Sequence, residues 1–150
     1  MIAMGDPLHS REAIARLVPH AGRMCLWQRV TAWDAQAIAL EADDHGDAGH
    51  PLRHRDRLHA VHLAEFGAQA MAVHGGLRAQ LDGGLARPGL LVALRGVVLH
   101  RDRIDDLAGP LKGEANVLVE SASGWQYAFA IRHAGALLAE GRAAVIHPPG

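Results

Sequence analysis

The chain has 150 residues, is 49% hydrophobic and carries a formal net charge of −1 at pH 7. That is enough for one domain with a real core, spanning 1–150, and it excludes a disordered linker. Acidic and basic residues are interspersed without a polybasic run, which argues against nucleic acid and anionic membrane as partners.

Aromatic residues make up only 4%, so Val, Leu, Ile and Ala must fill most of the interior. Cys25 is the single cysteine, which excludes an intrachain disulfide and a cysteine-based zinc site. No apolar run approaches the roughly 20 residues that span a bilayer. Residues 1–11 lack the apolar stretch of a signal peptide, so a cytoplasmic location is expected.

In chain order, residues 10–18 read as a short amphipathic helix, with Ser10 as N-cap and Ile14, Leu17 and Val18 on one face. Residues 24–33 and 35–42 read as two strands forming a hairpin at Asp34. The polar stretch 43–57, broken by Gly46, Gly49 and Pro51, is a loop. The strongest helix runs over 58–77, with Gly75-Gly76 expected to fray its end. A second loop occupies 82–89. Strands follow at 90–100, 111–121, 125–133 and 136–147, and their breaks imply an antiparallel meander. The class is α+β, with one long helix packed on a curved antiparallel sheet.

From Leu58 to Val73 nearly every residue is apolar or small, so the helix is expected to be buried. At about 100° per residue, His62, Glu65 and Gln69 fall within roughly 60° of one another as one narrow polar stripe. A solvent face usually carries several charges, and this one carries a single carboxylate. Burial of that carboxylate would raise its pKa toward the range of a general acid. A partner base is offered by the loop, where His50 stands between Gly49 and Pro51, residues that restrict the backbone. From spacing alone, however, a solvated loop histidine is the more ordinary outcome.

His59, His62 and Glu65 repeat at three-residue intervals, but H-E-x-x-H and the two-cysteine zinc patterns are missing, so no metal is expected. Cys25 falls in an apolar stretch and reads as a small hydrophobe. The chain has no G-x-S-x-G elbow, and Gly83-Gly84 is not followed by the Lys-Ser or Lys-Thr of a phosphate loop.

Three segments together resemble the hot-dog 3-hydroxyacyl-acyl-carrier-protein dehydratases. Leu17-Val18-Pro19-His20, followed by Met24, Leu26 and Arg29-Val30, is similar to that family's opening. Gly49-His50-Pro51 resembles its active-site loop, and Glu65-Phe66-Gly67-Ala68-Gln69 its acid-bearing helix. The stretch from His50 to Gly75 looks most like the ApeP-like branch, associated with aryl-polyene and xanthomonadin-type pigments. The chain departs from the family pattern in reading His-Pro-Leu-Arg for His-Phe-Pro. It also has Gln28 where an Asp is usual, and one extra residue between His50 and Glu65.

The resemblance implies a helix wrapped by a sheet of about five to six strands and a homodimer pairing its sheets edge to edge. Each active site would take His from one subunit and the acid from the other. A higher oligomer or a heterodimer with a related dehydratase is a variant of that expectation. In the implied reaction His50 is the base for the C2 proton of a 3-hydroxyacyl thioester. Glu65, kept protonated by apolar surroundings, gives a proton to the departing hydroxyl. The Ala60 N–H is the expected donor to the thioester carbonyl, and Gln69 is expected to orient Glu65.

Arg53, Arg55 and Arg57 flank the expected entrance and suit an acidic acyl carrier protein, unless they are ordinary solvated charges. His62 joins them as a contact residue. No cofactor is expected beyond the phosphopantetheine arm that carries the substrate. Two alternatives stand beside this reading: a hot-dog acyl thioesterase, and a non-catalytic partner subunit of a dehydratase heterodimer. His20 matches the family opening and is expected to be structural.

Overall fold

The computed structural model describes residues 5–17, 25–81 and 90–146, with side chains from Ala93 onward in the last stretch. Expectations placed on Pro19, His20, Met24 and the 82–89 loop lie outside the described residues.

The first helix, α1 (Arg11–Ala15), is capped by Ser10, whose hydroxyl accepts from Ala13 N at 3.2 Å. It is shorter than its periodicity predicts. Strands β1 (Arg29–Trp33) and β2 (Ala37–Ala42) form the expected hairpin, with Asp34 Oδ1 accepting from Gln36 N and Ala37 N in the turn. The segment ahead of β1 was expected to be strand, but tertiary bonds to the long helix take it out of the ladder. Leu26 N donates to Gln69 Oε1, and the Trp27 indole donates to Phe66 O.

The long helix α2 opens with a 3-10 turn (Ala60–His62) and continues as α-helix over Leu63–Leu81. It begins two residues later than expected because residues 58–59 are drawn into extended pairing with residues 103–104. Leu58 N donates to Asp105 Oδ1, Ile104 N to Leu58 O, and Ala60 N to Asp102 O. It also continues past Gly75-Gly76. Arg78 in the last turn makes two bonds to Glu120 and lies 4.4 Å over the Trp125 ring, and both contacts hold that turn.

Strands β3 (Leu90–Leu99), β4 (Leu111–Ser121), β5 (Gly124–His133) and β6 (Ala136–Ile146) complete a six-stranded antiparallel sheet in the order β1-β2-β4-β5-β6-β3. Only β4, β5 and β6 form a meander. The chain leaves β3 at the far edge and crosses to β4 through residues 100–110, a connection that spends its hydrogen bonds on the entry to α2 instead of on a hairpin.

Alternation decides which face of the sheet meets the helix. Leu111, Gly113 and Ala115 of β4 are buried between exposed Lys112, Glu114 and Asn116. Tyr127, Phe129 and Ile131 of β5 point the same way. The helix approaches closely at Gly67, where a Cβ would stand 2.6 Å from the Phe129 ring.

The outer edge of β1 is covered by Leu8, whose N–H and C=O both bond Val30. Among the described residues no strand covers the outer edge of β3, where Leu94, Val97 and Val98 are exposed. No helix among the described residues is long and apolar enough to cross a membrane.

Candidate active site

The loop between β2 and α2 is built from successive turns. Asp47 N donates to Asp44 O, His50 N to Asp47 O, and Arg53 N to His50 O, so the backbone folds back every three residues. A two-residue turn follows, closed by mutual bonds between His54 and Arg57, with Arg55 and Asp56 at positive φ. The Arg53 guanidinium staples the loop, donating to Gly46 O and Asp56 O. Arg53 is therefore a structural residue of the loop here, whereas Arg55 and Arg57 are exposed at its tip.

This scaffold carries His50 inward. The residue is 5% exposed, and its ring stacks on Phe66 of α2 with centroids 6.2 Å apart. Leu52 N donates to His50 Nδ1 at 3.2 Å, and Nε2 faces Asp44 Oδ1 at 3.8 Å. Burial pushes the His50 pKa below the ordinary histidine value, while Asp44 opposes that shift. An open cavity of about 640 Å³ lies beside the ring, lined by Arg11, Cys25, Asp44, Asp47, His50 and Pro51 among others. Cys25 is buried, and its thiol donates to Trp27 O; burial pushes its pKa up, as expected of a packing residue.

Glu65 points elsewhere. Adjacent helix residues differ by about 100° in direction, so with Phe66 turned inward under His50, Glu65 faces out, its side chain 52% exposed. Its neighbour is His62, whose Nδ1 lies 3.4 Å from Glu65 Oε1. The apolar seclusion expected for this carboxylate is not supplied by its own chain, and one chain does not bring His50 and Glu65 together.

Gln69 is half-buried on the same stripe, and its Oε1 accepts from Leu26 N, so that oxygen anchors the segment before β1. The Ala60 N–H, expected to face a thioester carbonyl, is buried and already donates to Asp102 O at 2.8 Å. The β3–β4 connection has taken that donor.

Sequence reasoning missed Asp44, Arg11 and Asp105. Asp44 lies beside His50 and is gripped by Arg11. Asp105 accepts from Leu58 N and from Arg103 Nε and Nη2, so its carboxyl is held well below the ordinary range, chiefly by the arginine. Arg11 reaches Asp44 across 33 residues and Asp105 reaches Leu58 across 47, and no local motif marks either pairing. His74 was also passed over. It is fully buried, with Nδ1 accepting from the Tyr127 hydroxyl and Nε2 donating to Asp34 O.

A curved antiparallel sheet holding one long helix defines the hot-dog class, and here a buried histidine stands on the loop before that helix. Solved structures agree on the fold. The dehydratase heterocomplex ApeI:P from Xenorhabdus doucetiae superimposes with a TM-score of 0.82 at 21% identity, covering 91% of each chain. A proposed thioesterase from Silicibacter sp. TM1040 gives 0.67 at 10% identity, covering 96% of this chain and 95% of that one. A proposed esterase from Mycobacterium tuberculosis gives 0.58 at 11% identity, covering 77% and 86%. At such identities these likenesses establish the fold alone. A search of curated proteins returned no match. The family model for ApeP-like proteins, described as ApeP dehydratase, matches residues 12–150, and the chain belongs to that family.

Proposed function

We propose that this protein dehydrates a 3-hydroxyacyl thioester, carried on the phosphopantetheine arm of an acyl carrier protein, to the trans-2-enoyl thioester in cytoplasmic aryl-polyene or fatty-acid-like biosynthesis. The observation that carries this reading is His50: a buried imidazole on a self-stapled loop, lining an open cavity, in a chain of the ApeP-like family. His50 accepts the C2 proton, and the C2–H electron pair becomes the C2=C3 bond. The 3-hydroxyl leaves as water with a proton from Glu65. Transfer of the proton from His50 back to the Glu65 carboxylate, through solvent, restores both groups.

Two observations support drawing Glu65 from a second subunit. It faces out of its own chain, and the β3 edge, which no strand covers among the described residues, exposes Leu94, Val97 and Val98, an edge that proteins ordinarily cover. A homodimer closing on that edge supplies the burial that a protonated acid needs. Arg55 and Arg57, exposed beside the His50 loop, offer positive charge to an acidic carrier protein.

One observation favours a second reading, a partner subunit that shapes another dehydratase's site without turning over substrate. The Ala60 N–H is committed to Asp102 O and gives a thioester oxygen no donor. The test is a panel of aryl and alkyl 3-hydroxyacyl carrier proteins, followed by mass spectrometry for wild type, His50→Ala and Glu65→Ala. Loss of water with wild type alone supports the dehydratase. Release of free carrier-protein thiol instead makes the chain a thioesterase. No turnover by folded wild type selects the partner-subunit reading.

A further inference from the structure

Among the described residues, three buried polar atoms on residues that line the His50 cavity have no hydrogen-bond partner: His50 Nε2, Asp44 Oδ1 and Arg11 Nε. Two of them face each other, His50 Nε2 and Asp44 Oδ1, at 3.8 Å. Asp44's other carboxylate oxygen is gripped by the Arg11 guanidinium, so the carboxylate is fixed from α1 while one oxygen stays available to the ring. His50 Nδ1 accepts from Leu52 N. A neutral ring in that arrangement carries its proton on Nε2, the nitrogen facing Asp44.

We propose that Asp44, clamped by Arg11, is a positioning residue that keeps the Nε2 proton of His50 directed at its carboxylate and leaves Nδ1 as the nitrogen that takes the substrate proton. This rests on the reading of His50 as the base. The Leu52 N–H contact at 3.2 Å, between residues two apart in one loop, gives way to the reacting C2–H bond. When that bond breaks, the proton goes to Nδ1 and the ring becomes an imidazolium whose Nε2–H faces Asp44. The 3.8 Å separation exceeds a hydrogen bond in the neutral resting state. Protonation of the ring converts the contact into an ion pair between a buried ring and a largely buried carboxylate, where attraction exceeds that in bulk water. The carboxylate thus favours the charged ring formed during the reaction more than the neutral ring before it.

The other charged and titratable groups facing His50 are Arg11, His45 and Asp47. Arg11 and His45 disfavour the protonated ring along with burial, and Asp47 opposes them with Asp44. Removal of Asp44 therefore has a defined sign, since it takes away a group that favours protonation.

The test uses the full-length chain, with nitrogen NMR reporting the tautomer and titration midpoint of His50, alongside pH profiles of kcat and KM. Wild type is expected to show the Nε2–H tautomer. Asp44→Asn should mix the tautomers, lower the midpoint and cut kcat about 100-fold or more with little change in KM. Asp44→Glu should recover part of each effect. Arg11→Gln keeps the carboxylate but unclamps it, so it should move the tautomer in the same direction by less, and it carries the comparison if Asp44→Asn does not fold. A folded Asp44→Asn protein with the wild-type tautomer and midpoint overturns the pairing. Absence of turnover in wild type defeats the dehydratase reading, while the NMR comparison still decides whether Asp44 sets the state of His50.

Discussion

His50 lies almost parallel to Phe66, ring planes 18° apart, so the loop histidine rests on the residue adjacent to Glu65 in the helix. Phe66 is fully buried, packs edge-on to Trp27 at 5.3 Å, and receives the Trp27 indole N–H on its backbone carbonyl. The aromatic platform thus couples the site to the core. Phe66→Leu should cost about 1–3 kcal/mol of stability, since it shrinks a buried ring and loses the edge-on contact with Trp27. Its activity loss should exceed what that stability change explains, because the ring that seats His50 is gone. Denaturant titration beside kcat/KM separates the two, and unchanged kcat/KM in the folded variant sinks the platform role.

The helix can approach the sheet only because residue 67 has no side chain. A Cβ there would fall 2.6 to 2.8 Å from three atoms of the Phe129 ring, which is itself nearly fully buried. Gly67→Ala should therefore destabilise by about 1–3 kcal/mol despite its better helix propensity. A urea midpoint equal to or above wild type would show that the ring moves aside freely.

Asp105 is the pin at the start of α2. Its Oδ1 accepts from Leu58 N at 2.8 Å, and its side chain is almost wholly enclosed. Asp105→Ala strands that buried N–H and should cost about 1–3 kcal/mol. Hydrogen exchange should locate the loss, with the Leu58 and Ala60 amides losing protection before those in the middle of α2. Uniform loss of protection across the helix would contradict a local pin.

Acid should weaken the fold through its buried histidines. His50 and His74 both have pKa values lowered by burial, so the unfolded chain binds more protons than the native one. Their contribution is complete above the unfolded histidine value, about 6.5, and is lost as pH falls through the native values. Urea midpoints should therefore drop between pH 7.5 and pH 5.5, and His74→Gln should flatten part of that slope. A midpoint that rises on acidification would show that other groups dominate.

Much of this was legible in the sequence because it depends on local pattern. Alternation marked β4, β5 and β6 to within a residue or two, and the run of Ala, Leu and Met marked α2. The order of Gly49-His50-Pro51 before Glu65-Phe66-Gly67-Ala68-Gln69 pointed to the family that the match over residues 12–150 bears out. Such features are set by backbone propensity and by which face is apolar, and both are properties of neighbouring residues.

Only the tertiary structure decided what lies between distant segments. It sent β3 to the far edge of the sheet, and it gave the Ala60 N–H to Asp102. It also turned Arg53 inward as a staple and set Asp44 and Arg11 beside His50. Each is a hydrogen bond or ion pair whose partner no spacing rule names, because its geometry exists only once the chain has closed. The direction of Glu65 follows the same logic: the packing of Phe66 against Trp27 and His50 turns one helix face inward, and the residue beside it is thereby turned out.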